Sequence, residues 1–289
     1  MPNAFFLTMD APEAFVTYDH AALEPLAARG WTVEMVPWRA SADWAAADLV
    51  VIRSPWDYQD APADFLAVLA EIDAATRLDN PLSVVRWNLE KTYLRDLEAA
   101  GVPIVPTRWA DGLRAQDLGA AFAVWDAEEA VAKPTVSANA DGTFRLANKT
   151  GDWTEALAVL RDRPCMVQPF LQSVVEEGEF SVFAFQGEVS HAILKTPASG
   201  DFRVQEEHGG SIRTVEPSTE LLMLTESALA AVPWPEPLLY ARVDAVRLAD
   251  GSLAVIELEL IEPSLYFPYG SGSAERFADA VAALDLEAG

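Results

Sequence analysis

Glu257 and Glu259 stand one leucine apart in the stretch 255–264, which reads Val-Ile-Glu-Leu-Glu-Leu-Ile-Glu-Pro-Ser. Successive side chains on a strand alternate between faces, so the two carboxylates point the same way. Side by side they repel, and burying the pair is costly unless a cation lies between them; hard oxygen ligands at this spacing fit a divalent metal. The alternative is a half-exposed strand with a solvated acidic face. Upstream, residues 240–246 read as a strand carrying Asp244, and Asp250-Gly251 is a hairpin turn leading into the Glu257 strand. Three acids can therefore meet on one face, which favours the metal.

Cations are scarce in this chain: 20 Lys and Arg face 45 Asp and Glu, for a net charge of −25. Such a surface repels phosphate backbones and anionic membranes, so nucleic acid and membrane are not expected partners. If the ligand is an anionic nucleotide, the few basic residues must be placed at its site. Lys133 ends an apolar run before Pro134, and Lys195 ends the second half of a hairpin over 179–194. The loop 197–211 carries Arg203 and then Gly209-Gly210, where backbone N–H groups can approach an anion and an arginine can offset charge on a transferring phosphoryl group. The small, polar loop 137–143 can fold over a phosphate. Residues 165–168 read as a buried strand running into Pro169-Phe170-Leu171, either a slot for a flat ring or an ordinary interdomain linker.

The elements that must position these groups begin with an apolar run at 4–8, a helical pattern over 20–28 and strands at 32–36 and 48–52, the opening of a parallel α/β sheet. Ligands of such sheets sit beyond the carboxyl ends of the strands. Here that end carries Arg53, Ser54, Pro55, Trp56, Asp57 and Tyr58, which either bind substrate or cap the sheet, with Arg53 paired to a nearby acid. Residues 88–100 read as one helix with Lys91 in its first half, 102–107 as a short strand between prolines, 152–162 as an amphipathic helix and 219–231 as another. The pattern from 109 to 169 is that of a compact inserted subdomain. Cys165 is the only cysteine, so no internal disulfide can form. Residues 1–10 lack the basic start of a signal peptide, and no window has the length of a membrane span, so a cytoplasmic location is expected.

In this order, Lys91, Val-Ala-Lys133-Pro, Gln168-Pro-Phe-Leu, Gly178-Glu179, Gly200-Asp-Phe-Arg203, Gly209-Gly210, Arg242-Val-Asp244 and Glu257-Leu-Glu259 ending at Pro263-Ser264 resemble the ATP-grasp superfamily. Within it the chain is most similar to the prokaryotic glutathione synthetase branch, over about residues 80–268. The resemblance implies an α/β ATP-grasp fold with an N-terminal open α/β pre-ATP-grasp domain at 1–83 and an ATP-grasp domain at 84–289. A lid subdomain would be inserted at about 109–168. It implies ATP and two magnesium ions, with manganese as the other ion such a site accepts. Lys91, Lys133 and Ser137 would contact the phosphates, Gln168, Pro169, Phe170 and Leu171 would line the adenine slot, and Glu179 would hold the ribose. Asp244, Glu257 and Glu259 would be the metal ligands. Arg203 and Lys195 would be catalytic, Arg203 at the forming acyl phosphate, while Arg53, Ser54, Asp57, Gly209, Gly210 and Ser264 would face the second substrate.

Two positions depart from the branch: Glu259 stands where asparagine is usual, and 136–143 replaces a glycine-rich lid loop. With the Arg53-to-Tyr58 run, these resemble the cyclo-ligases that close the isoxazolidinone ring in cycloserine biosynthesis. The implied activity is ATP-dependent ligation of a small-molecule carboxylate through an acyl phosphate, attacked by an amine or by a nucleophile of the same molecule, by a protein that assembles as a dimer or tetramer. A catalytically silent ATP-binding module and a small-molecule kinase are the rival expectations.

Overall fold

The computed structural model describes residues 1–11, 15–149 and 151–286. The first unit comprises β1 (Asn3–Thr8), α1 (Leu23–Ala28), β2 (Thr32–Pro37), β3 (Leu49–Ser54), α2 (Pro62–Ala75) and β4 (Arg77–Asp79), with the apolar runs of β1 and β3 buried at its centre. Its four strands are parallel, in the order β2-β1-β3-β4. Every residue of β3 is buried, as a run flanked by helices on both sides requires.

The helix expected over 88–100 starts only at Tyr93, as α4 (Tyr93–Ala99); α3 (Leu82–Asn88) ends where it was to begin, and Lys91 lies in the turn between them. There the Lys91 amide donates to the Thr135 carbonyl at 2.8 Å, which pins the turn against the next subdomain. Residues 102–107 form no strand. Their contact is a single parallel bridge, Ile104 to Val255, with two backbone bonds at 2.9 and 3.0 Å, because Pro103 and Pro106 have no N–H to extend a ladder.

A second antiparallel sheet follows, from β5 (Arg108–Ala110), α5 (Ala115–Trp125), β6 (Glu129–Pro134), β7 (Phe144–Ala147), α6 (Thr154–Val159) and β8 (Cys165–Pro169), in the order β5-β8-β6-β7. Helix α6 is shorter than the expected 152–162. The short α7 (Gln172–Glu176) leads to the third sheet, built from β9 (Glu179–Phe185), β10 (Glu188–Thr196), β11 (Ser211–Val215), β12 (Tyr240–Arg247) and β13 (Leu253–Glu259), with α8 (Thr219–Ala230) between β11 and β12. Its order is β11-β10-β9-β12-β13, all antiparallel. The last helix, α9 (Ser273–Ala282), returns to the first unit, where Phe277 meets Phe6 edge-on at 6.3 Å and Phe185 at 5.5 Å. One apolar cluster thus runs from β1 to β9 and α9 and crosses the boundary expected at 83/84. Among the described residues no helix is long and apolar enough to cross a membrane.

Candidate active site

The hairpin joined at Asp250-Gly251 sets Asp244 directly across from Glu257 and Arg242 across from Glu259. One carboxylate oxygen from each of Asp244, Glu257 and Glu259 lies within 4.8 Å of the others, at the wall of a large cleft between the two antiparallel sheets, with Trp56 and Tyr58 from the loop after β3 also lining it. The expectation that three acids converge there is met by this geometry.

Basic groups neutralise the cluster. Lys91 Nζ lies 3.1 Å from Glu257, Lys195 Nζ lies 2.5 Å from Glu179 and 3.3 Å from Asp244, and Arg242 bridges Asp244 at 2.9 Å to Glu259. Ser181 also donates to Asp244. Burial disfavours charge on Asp244, but Arg242 and Lys195 outweigh it and draw its pKa down to about 2. Burial is likewise overcome at Glu257, which Lys91 and Lys133 hold below the ordinary carboxylate range. At Glu259 burial wins against Arg242, and the carboxyl is pushed up to about 8. Lys195, although buried, is raised by Asp244 and Glu179.

Lys133 differs from the other cleft lysine positions. Its ammonium has no hydrogen bond and no carboxylate within 4 Å among the described residues, and burial lowers its pKa. A desolvated cation at the end of a strand is a site prepared for an anion. Beside it, Lys91 Nζ also donates to the Ser137 carbonyl at 2.8 Å, so the loop after β6 is tied to the acid cluster. The end of β8 forms an apolar wall: Gln168 donates to Thr107 Oγ1 at 3.0 Å, and Phe170 lies 3.7 Å under the Arg145 guanidinium and edge-on to Phe202 at 6.3 Å. Pro169 and Leu171 complete that side, and Ser264 lines the cleft five residues past the end of the acids' strand.

Several expected contacts are not made directly. Arg53 is fully buried; Nη2 lies 3.0 Å from Asp19 and donates to the Pro263 carbonyl at 2.9 Å, and the guanidinium lies 5.0 Å over the Tyr240 ring. It is the sheet-capping alternative that holds, because a cation at the end of a fully buried strand must find its acid nearby. Ser54 is buried in the same strand. Asp57 accepts from Trp38 Nε1 at 2.7 Å and pairs with Arg39, away from the cleft. Gly209 and Gly210 spend their amides inside their own loop, on Glu206 O at 2.8 Å and Gln205 O at 3.1 Å. A Cβ on Gly210 would meet Val204 O at 2.1 Å, so that glycine permits a close backbone approach and does not face a ligand. Glu179, expected at the ribose, is ion-paired to Lys195, its cross-strand partner. Arg203 lines the cleft but chelates Asp201 through Nε and Nη2, at 3.1 and 2.7 Å.

Sequence reasoning gave no site role to Glu262, Gln205 or Tyr266, which also line the cleft. The segment 260–265 that carries Glu262 runs past the start of β12 and has no ladder partner left. Each of its six carbonyls is met by a side chain: Leu260 by Asn80 at 2.7 Å, Ile261 by the Tyr240 hydroxyl at 2.8 Å, Glu262 by Trp56 Nε1 at 2.9 Å, Pro263 by Arg53, Ser264 by Arg242 at 3.4 Å and Leu265 by His191 Nε2 at 3.0 Å. Buried carbonyls must be paired, and here the donors come from β3, β10 and β12 and the loops after β3 and β4. The result is a rigid strap along the cleft wall. The signal available in advance was the break in the alternation at Leu260-Ile261, just before Glu262-Pro263.

Residues 4–80 match the family model described as the N-terminal domain of the D-cycloserine synthetase DcsG. The whole chain is 34% identical to the cycloserine biosynthesis protein DcsG of Streptomyces lavendulae, over 96% of this chain and 97% of that protein. The crystal structure of D-cycloserine synthetase DcsG superposes with a TM-score of 0.86 at 31% identity, covering 97% of this chain and 98% of that one. The ATP-grasp ligase PsnB, solved with a phosphomimetic variant of its minimal precursor, Mg and ADP, shares the fold at a TM-score of 0.67 and 19% identity, with 97% of each chain covered. The chain belongs to the DcsG family, and it is a ligase built on the ATP-grasp fold.

Proposed function

We propose that this protein uses ATP to activate a small-molecule carboxylate as an acyl phosphate and then joins the activated carbonyl to a nitrogen nucleophile, releasing ADP and phosphate. Ring closure by a nucleophile of the same molecule is the form the DcsG likeness favours. The observation that carries the reading is the placement of an unpaired, desolvated Lys133 in the same cleft as three converging carboxylates, since ATP with its metal presents the matching anion and cation together.

The donor set of Asp244, Glu257 and Glu259 is all hard oxygen, with no imidazole or thiolate, and fits magnesium. Two ions are proposed, the number the family resemblance implies; the PsnB complex with Mg and ADP, which shares this fold, supports magnesium, and manganese suits the same ligands. Magnesium bound there supplies positive charge to the phosphate oxygens and orients the terminal phosphoryl group.

The chain's own residues do the rest. Lys133 meets the phosphates without giving up a protein partner, and Lys91 reaches them from its turn, holding the Ser137 loop over them. The wall of Gln168, Pro169, Phe170 and Leu171 receives the base. A substrate carboxylate oxygen attacks the terminal phosphorus while the bond to the ADP oxygen breaks; Arg203, through the Nη1 that Asp201 leaves over, and Lys195 offset the charge of two anions brought together. The nitrogen then attacks the carbonyl carbon, the bond to phosphate breaks, and the nitrogen loses its proton.

The test is Glu257→Gln, assayed for ADP release against ureido, aminooxy and ordinary amino acids. Activity should fall at least a hundredfold with the circular dichroism spectrum unchanged; undiminished ADP release refutes the assignment. Hydroxylamine should trap a hydroxamate from the native enzyme, which a kinase forming a phosphate ester would not yield. Product mass separates ring closure from ligation.

A further inference from the structure

We propose that Gln59 is a positioning residue for the nucleotide's phosphates: by accepting the Ala138 amide it fixes the loop 137–143 over the phosphate end of the cleft. The inference rests on the ATP reading above and concerns the cover of that same site.

The loop joins β6 to β7 shortly after Lys133, and Ser137 through Ala140 line the cleft. Its own bonds close two turns, from the Asp141 amide to the Ala138 carbonyl at 3.0 Å and from the Thr143 amide to the Ala140 carbonyl at 3.1 Å, and they leave the Ala138 amide to find an acceptor elsewhere. Asn139 and Ala140 both have left-handed backbone, with φ of 51° and 58°. Residues with a Cβ seldom adopt that region, so two in succession must be held by bonds from outside. Those bonds come from three separate parts of the chain. Lys91 Nζ donates to the Ser137 carbonyl at 2.8 Å, His208 Nε2 lies 3.4 Å from the Asn139 carbonyl, and Gln59 Oε1 accepts from the Ala138 amide. Lys91 also serves Glu257, whereas the Gln59 side chain makes no other hydrogen bond among the described residues.

Gln59 is carried on a fixed support. It lies in the single helical turn Tyr58–Asp60, where Tyr58 is buried and stacked on Phe65 at 4.8 Å, and Trp56 just before it donates to the Glu262 carbonyl at 2.9 Å. Trp56 and Tyr58 line the cleft themselves, so one carboxamide sets the loop over the phosphates in register with the wall that the N-terminal unit supplies. A single neutral hydrogen bond of this kind is worth about threefold to tenfold in the population of the held conformation.

The experiment compares the native protein with Gln59→Met, which keeps the length of the side chain and removes the acceptor, and with Gln59→Glu, which keeps an acceptor. Hydrogen exchange of the segments 136–143 and 165–171 is followed by mass spectrometry without nucleotide, and binding of the magnesium complex of AMPPNP is measured by calorimetry. In Gln59→Met the segment 136–143 should exchange about threefold or more faster and the nucleotide should bind about threefold or more weaker, with exchange of 165–171 unchanged. Gln59→Glu should keep the exchange of 136–143 within about twofold of native. Loop exchange or nucleotide affinity that stays within about twofold of native in Gln59→Met overturns the proposal, as does a Gln59→Glu protein whose loop exchanges as fast as that of Gln59→Met. Faster exchange at 165–171 in Gln59→Met also overturns it, because the side chain would then support the fold at large. A native protein that fails to bind the nucleotide refutes the ATP reading itself, and this inference with it.

Discussion

Replacing Arg53 with methionine would remove a cation that no solvent reaches, at a position that the family resemblance implied would face substrate. Asp19, 4% exposed, would lose its partner at 3.0 Å, and the Pro263 carbonyl would lose its donor at 2.9 Å. Breaking a buried pair from one side costs about 3–5 kcal/mol, chiefly because the remaining charge is stranded. Leaving a carbonyl unpaired adds about 1 kcal/mol. We expect Arg53→Met to lower unfolding stability by about 4 kcal/mol, moving the urea midpoint down by about 1 M or more. Adding Asp19→Asn removes the stranded charge and should restore about 2 kcal/mol. Because Arg53 also holds the strap, KM for the carboxylate should rise more than KM for ATP in the folded fraction. A loss under about 1 kcal/mol in Arg53→Met, or further destabilisation on adding Asp19→Asn, refutes the account of Arg53 as a buried anchor.

Two further perturbations separate binding from stability. Lys133→Met relieves a desolvated, unpaired cation, so its thermal midpoint should stay level or rise while MgADP binding weakens tenfold or more; a lower midpoint with intact MgADP binding contradicts the role given to Lys133. His191, stacked on Phe183 at 4.2 Å, has its pKa lowered to about 4 by burial, so between about pH 6.5 and 4 the unfolded chain binds the extra proton and stability falls with pH. That contribution, worth up to about 3 kcal/mol, should vanish from the stability profile of His191→Phe, and an unchanged slope over that window would exclude it.

Much of the fold is local enough to read directly. The Asp250-Gly251 turn is legible and sets Ala245 across from Val255, but that register continued would put Asp244 across from Ile256; a bulge between Asp244 and Ala245 shifts it to Glu257. The continuous apolar run before Arg53 is a buried parallel strand, as its composition predicts. Elsewhere a local pattern misled. The helix expected over 88–100 starts only at Tyr93 because the Lys91 amide bonds to Thr135, far along the chain, in place of a helical partner. The glycine pair at 209–210 was read by composition as an anion nest, but its amides close their own loop.

By itself the sequence determined which residues alternate, where turns fall, and that cations are few enough to be worth tracking. Only the tertiary structure decided which of those cations are already paired. Lys133 and Arg53 look alike in sequence, each ending an apolar strand, yet one is left open to the cleft and the other is sealed against Asp19. Pairing is a property of distances between residues far apart in the chain, and the period of a strand carries no information about them.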